Sequence, residues 1–82
     1  MKANVYVTLK AGVLDPQGET VKRSLHLMGN DDIEEVRIGK FIQIKMRNQG
    51  LEQARRQLEE ISDQLLANPV IEDFRVELAE GE

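Results

Sequence analysis

The run from Val36 to Arg47, VRIGKFIQIKMR, constrains the fold of this chain more than any other stretch. Its even positions are Val36, Ile38, Lys40, Ile42, Ile44 and Met46, so one face of an extended strand is apolar except at Lys40. A bulge at Gly39 would shift the apolar set to odd positions beyond it, and the phase does not shift. Gly39-Lys40 also lacks the Asn-Gly or Asp-Gly character of a tight hairpin turn. The run therefore reads as one strand over 34–46. At about 3.3 Å per residue, twelve extended residues span roughly 40 Å. A compact domain of this length has a radius of gyration near ~12 Å and a diameter of about 30 Å. The strand outreaches its own globule. Each large apolar side chain left in water forgoes about 1.5–3 kcal/mol, so Val36 and Ile38 are assigned to the chain's own core. Ile42, Ile44 and Met46 are assigned to a partner, with Lys40 as the seam.

The flanking segments supply the remaining elements. Ala3, Val5, Val7 and Leu9 alternate with Asn4, Tyr6 and Thr8, which predicts a half-buried first strand. Asp15-Pro16 is a helix start, because the carboxylate accepts an early free N–H and proline occupies a first position that needs none. Val21, Leu25 and Met28 follow at helical spacing before Gly29, giving a helix over 16–28. A second helix begins at Leu51 with Ala54, Leu58, Ile61 and Leu65 on its apolar face, and ends where Pro69 pushes Asn68 out of the α region. Phe74, Val76 and Leu78 then alternate in a third strand over 70–78. The predicted architecture is α+β: a two-layer sandwich in the order β-α-β-α-β, with a long antiparallel middle strand and two helices on one face. A split-βαβ, ferredoxin-like relative follows if the middle run breaks into two strands.

A chain of 82 residues makes one domain, expected over 1–82, and buries only about 60% of the surface its unfolded form exposes. Help from a partner suits that size. Eleven basic against fifteen acidic residues, net −4, with part of the acid in the terminal AEGE, offers no field for phosphate backbones or anionic lipid. Two Phe and one Tyr leave little for base stacking. No nucleic acid and no membrane are expected as partners. The chain has no cysteine, which removes thiolate chemistry and suits a reducing compartment. MKANVYVTLK lacks the continuous apolar core of a signal peptide, so the expected location is cytoplasmic.

Candidate chemistry is sparse. A phosphate loop would need glycine at Glu34 and a hydroxyl at Phe41. His26 is the sole histidine and is read as a solvated helix residue. Asp31-Asp32, Glu34-Glu35, Glu59-Glu60 and Glu72-Asp73 are read as solvated charge, and Ser24 and Ser62 as helix-surface hydroxyls. Lys10, Arg37 and Lys40 suit an anion, either phosphate or a partner's carboxylates. No catalytic, cofactor-binding or metal-binding constellation emerges, and the residues describe an oligomeric, non-catalytic module.

Three segments carry a resemblance: VYVTLKAGVLDPQG at 5–18, VRIGK at 36–40 and LLANPVIEDF at 65–74. In this order and spacing the chain resembles the PurS family, the small subunit of phosphoribosylformylglycinamidine synthase. The resemblance implies an assembly subunit of a ligase complex that does not itself catalyse. It would help join a glutaminase subunit, PurQ, to a synthetase subunit, PurL, so that ammonia passes to formylglycinamide ribonucleotide. It implies a homodimer or tetramer, no cofactor in this chain, and ATP with magnesium in the large partner. The family motif touches Asp15, Pro16, Gly18, Arg37, Gly39, Lys40, Asn68, Pro69 and Glu72, which are expected to serve turn geometry and subunit contact. The connection MGNDDIEE is more acidic than the family pattern. The alternative reading is a small-molecule-binding regulatory domain of ferredoxin-like type.

Overall fold

A computed structural model describes residues 1–79; residues 80–82, the acidic tail that closes the domain expected over 1–82, lie outside the described residues. The elements are β1 (Lys2–Leu9), α1 (Pro16–Leu27), β2 (Lys40–Lys45), α2 (Leu51–Ile61), which runs on into a π-helical turn (Ser62–Leu66), and β3 (Glu72–Ala79). The three strands make one antiparallel sheet in the order β2-β1-β3. β1 takes the centre, the position that suits its run of small and β-branched residues.

The pairing register explains the core. Val5 lies opposite Ile42 on one side and Val76 on the other, and Val7 opposite Lys40 and Phe74. Side chains alternate across a strand, so Ala3, Val5, Val7, Ile42, Ile44, Phe74 and Val76 share one face. α2 covers that face with Ala54 and Leu58, both fully buried. Leu66 and Ala67 complete the cluster around Val5 and Val7.

The π turn corrects the reading of this helix. Ala67 N–H donates to the Ser62 carbonyl, a five-residue step of 2.8 Å, so the turn holds one residue more than an α turn. The apolar phase slips by one. Leu65, expected on the core side, is 80% exposed, while Leu66 is partly buried and Ala67 is 6% exposed. Ser62, expected on the surface, is fully buried, and its hydroxyl has no partner among the described residues.

The middle run divides. Only Lys40–Lys45 pairs with β1; residues 33–39 carry no regular secondary structure and lie outside the sheet. The single long strand expected over 34–46 is thus only six residues long and does not outreach its own sheet. Ile42 and Ile44 pack in the chain's own core, and Met46 exchanges backbone bonds with Met1, its N–H donating to the Met1 carbonyl at 2.9 Å. Val36 and Ile38 lie outside the sheet. At Gly39 a Cβ would run into the Val7 carbonyl, so the chain crosses the end of β1 where only glycine fits.

α1 stands apart from the sheet. Its ends are those expected: Asp15 caps the start, Pro16 is the first helical residue, and Gly29 closes the C-terminus at φ 97°, with Asn30 N–H donating to the Leu25 carbonyl at 2.9 Å. Its packing is almost wholly against the 33–38 segment, with little contact to any strand or to α2. His26 is part of this packing rather than solvated: its Nε2–H donates to the Ile33 carbonyl at 2.7 Å. Helix and segment form an arm. The molecule is consequently drawn out, 49 × 27 × 14 Å with a radius of gyration of 16.2 Å, against about 12 Å for a compact chain of this length.

Candidate interaction surface

The base of the arm is built around Asp15. One carboxylate oxygen accepts the Gly18 N–H at 2.9 Å, and the other accepts the Ile38 N–H at 2.7 Å. Asp15 is 4% exposed. These backbone donors, Ile38 first and Gly18 second, hold its carboxyl below the ordinary aspartate value of 3.8, and nearby Arg37 adds to the effect. Gly18 is buried because a Cβ there would collide with the Val36 carbonyl. The Arg37 guanidinium donates to the Lys10 carbonyl at 3.1 Å, fastening the segment to the end of β1.

Where the arm meets the sheet there is a hollow of about 330 Å³ lined by Val7, Leu9, Asp15, Pro16, Gln17, Ile38, Gly39, Lys40 and Glu72. Five residues singled out in the sequence therefore converge here: Asp15, Pro16, Gly39, Lys40 and Glu72. Lys40 Nζ donates to the Leu66 carbonyl at 3.3 Å, and Glu72 accepts the Asn68 N–H at 2.6 Å. Asn68 Oδ1 in turn accepts the Val70 N–H at 3.0 Å, so Asn68 and Glu72 brace the turn through Pro69. The size is at the low end for a small-molecule site, and Asp15, Lys40 and Glu72 already have intrachain partners. Lys10, Arg37 and Lys40 do not form an anion cluster. Lys10 pairs with Asp73 at 2.6 Å, and the other two point at backbone carbonyls.

Of the remaining sequence candidates, Gly18 and Arg37 stand on the arm, Asn68 and Pro69 in the turn before β3, and Ile42, Ile44 and Met46 in or beside the core. A shallow hollow beside the arm base, lined by Pro16, Gln17, Thr20, Val21 and Ile38, leaves Val21 39% and Ile38 36% exposed.

The open face of the sheet carries a network that sequence reasoning missed. Tyr6 packs on Phe41 with ring centroids 5.1 Å apart, and the Arg75 guanidinium lies 4.3 Å over the Tyr6 ring. Glu77 accepts from Asn4 Nδ2 at 3.2 Å and from the Tyr6 hydroxyl at 3.1 Å. Asn4, then Tyr6, hold the Glu77 carboxyl below its ordinary value, and the same contact with Glu77 raises the Tyr6 phenol above 10.0. No local motif announces this set. It exists only once the register places Tyr6 between Phe41 and Arg75. Among the described residues no three His, Cys, Asp or Glu side chains gather as they would to hold a metal ion, and no helix is long and apolar enough to cross a membrane.

An antiparallel three-stranded sheet, one helix on its apolar face and a second helix carried out on an arm define a small α+β chain. Residues 2–80 match the family model described as PurS, phosphoribosylformylglycinamidine (FGAM) synthase, and the chain belongs to that family. It is 43% identical over 83 residues to the phosphoribosylformylglycinamidine synthase subunit PurS of Bacillus subtilis, covering 96% of this chain and 93% of that one. The crystal structure of Methanocaldococcus jannaschii PurS, one of the subunits of formylglycinamide ribonucleotide amidotransferase in the purine biosynthetic pathway, superposes with a TM-score of 0.87 at 40% identity, covering 99% of this chain and 98% of that one. A chain in the structure of PurLQS from Thermotoga maritima matches with a TM-score of 0.83 at 30% identity, covering 93% of each chain.

Proposed function

We propose that this chain is the PurS-type assembly subunit of phosphoribosylformylglycinamidine synthase in purine biosynthesis, a single domain over 1–82 acting in the cytoplasm. It joins a glutaminase subunit of PurQ type to a synthetase subunit of PurL type for ammonia transfer in the ATP- and glutamine-dependent conversion of formylglycinamide ribonucleotide to formylglycinamidine ribonucleotide. The match to a PurLQS assembly over most of both chains carries this reading. ATP and magnesium belong to the large partner. Holding ammonia between two sites keeps a small nucleophile from dilution and protonation before it meets the activated amide.

The chain does this as a homo-oligomer, a dimer or a pair of dimers. Its accessible surface is 6058 Å², whereas a compact monomer of this length exposes about 5,000 Å². The excess is comparable to the ~800 Å² that each partner contributes to a standard interface. The side of the arm around Pro16, Val21 and Ile38 meets a second copy, and the hollow at Gly39, Lys40 and Glu72 borders the contact. Gly18, Arg37, Asn68 and Pro69 shape it from behind, with Ile42, Ile44 and Met46 at the sheet edge.

Reconstitution tests the assembly role. Glutamine-dependent formation of the amidine by PurL- and PurQ-type subunits should require this chain, while synthesis from added ammonia should persist without it. Equal glutamine-dependent rates with and without the chain would overturn the reading.

A further inference from the structure

Capping a helix needs one side-chain oxygen, which serine, threonine or asparagine supplies as well as aspartate. Asp15 uses its second oxygen for a residue 23 positions away, the Ile38 N–H at 2.7 Å. The same carboxylate therefore bonds the first turn of α1, through Gly18, and, through Ile38, the irregular segment that returns the chain to the sheet. Nearby, the missing Cβ of Gly18 lets the Val36 carbonyl touch the helix backbone. Besides these contacts only the His26–Ile33 hydrogen bond near the far end of α1 ties it to the segment, and the helix contacts the strands and α2 little.

We propose that Asp15 is a positioning residue: a latch that keeps α1 and the 33–38 segment together as one preformed arm, and so fixes the direction in which that arm meets a second copy of the chain. The second half of this statement rests on the oligomer reading above. A hinged arm would have to be ordered during association, and that ordering cost weakens binding; a latched arm has met it in advance. The charged groups facing Asp15 are Arg37 from its own arm and, across the hollow, Lys40 at the start of β2 and Glu72 at the start of β3. Arg37 favours the carboxylate form that accepts both N–H groups, while Lys40 and Glu72 are engaged with the Leu66 carbonyl and the Asn68 N–H.

The test is Asp15→Ser, which keeps an oxygen for Gly18 but is too short to reach Ile38. We expect the Ile38 amide to exchange with deuterium at least tenfold faster than in the wild type, while the Val5 and Val7 amides are unchanged. Sedimentation should show the self-association constant weakened at least tenfold. Unchanged Ile38 exchange would overturn the latch, and a freed Ile38 with wild-type association would overturn its role in docking. The wild-type chain gives a second measure should the variant not fold. On acid titration by NMR, the Gly18 and Ile38 amide signals should move together with one midpoint below the ordinary aspartate range; an Ile38 signal that does not follow would overturn the latch. A wild-type chain that stays monomeric at high concentration would overturn the docking half, leaving Ile38 exchange to judge the latch alone.

Discussion

The sheet with α2 and the arm with α1 are made from similar residues but held by different forces. In the first, Val5, Val7, Ala54 and Leu58 are buried almost completely, and the hydrophobic effect holds the layers together. In the second, Leu14, Val21, Leu27 and Met28 remain exposed, and a few polar contacts to backbone, from Asp15, Arg37 and His26, maintain the shape. Apolar exposure alone does not separate the regions, since Phe41, Leu51, Leu65, Val70 and Ile71 are exposed on the sheet side too; the contrast teaches that one region has a buried interior and the other is held by polar contacts to backbone.

Substitutions can break that contrast. Leu58→Ala should have the largest effect, costing about 2–5 kcal/mol, a large part of the total stability of a domain this size; chemical denaturation should show both regions unfolding at lower denaturant. Gly18→Ala forces the Val36 carbonyl away from α1 and should cost about 1–3 kcal/mol as overpacking, with Ile38 and Ile33 amide signals shifted more than those of β1. Retained arm signals would show that the first turn of α1 does not depend on that close approach. Val21→Asp should change the stability of the isolated chain by less than about 0.5 kcal/mol, yet weaken self-association about tenfold by sedimentation. A variant that unfolds instead would mean that α1 packs on its own sheet after all.

Acid should sharpen the comparison with the smallest effect. Asp15 at the arm base and Glu77 on the open sheet face both have carboxyls held below their ordinary values. Each contributes stability that is present above the ordinary carboxylate range and lost as pH falls through its lowered native value. Amide exchange measured stepwise below pH 4.5, the ordinary glutamate value, should show loosening at Ile38 and at the Asn4 and Tyr6 positions while the Val5 and Val7 interior holds. Simultaneous loss at all of these positions would mean that arm and sheet unfold as one unit.

Much of this was legible in the sequence. The strand-helix-strand-helix-strand order follows from periodicity, and the start and stop of α1 follow from Asp15-Pro16 and Gly29. The length of the middle strand was not legible: of the run over 34–46 only the six residues Lys40–Lys45 form strand, so no strand overhangs its own sheet. Val36 and Ile38 look as apolar as Ile42 and Ile44, and only the pairing of β1 with Lys40–Lys45 decides between them. Nor does a helical repeat reveal a turn with one residue too many, which is why Leu65 and Ser62 were assigned to the wrong sides. The hollow at the arm base was half visible, since five of its lining residues lie in motifs read from the sequence. The joint use of Asp15 by Gly18 and Ile38 is a tertiary fact that no spacing encodes.

The extra residue in the Ser62–Leu66 turn has a consequence for how this stretch tolerates change. It works as a gear change between two apolar rhythms, so position 65 is released from the interior while 66 and 67 are engaged. A saturation scan of the stretch should accept polar residues at 65 and refuse them at 66 and 67, a pattern that no unbroken helical wheel would produce.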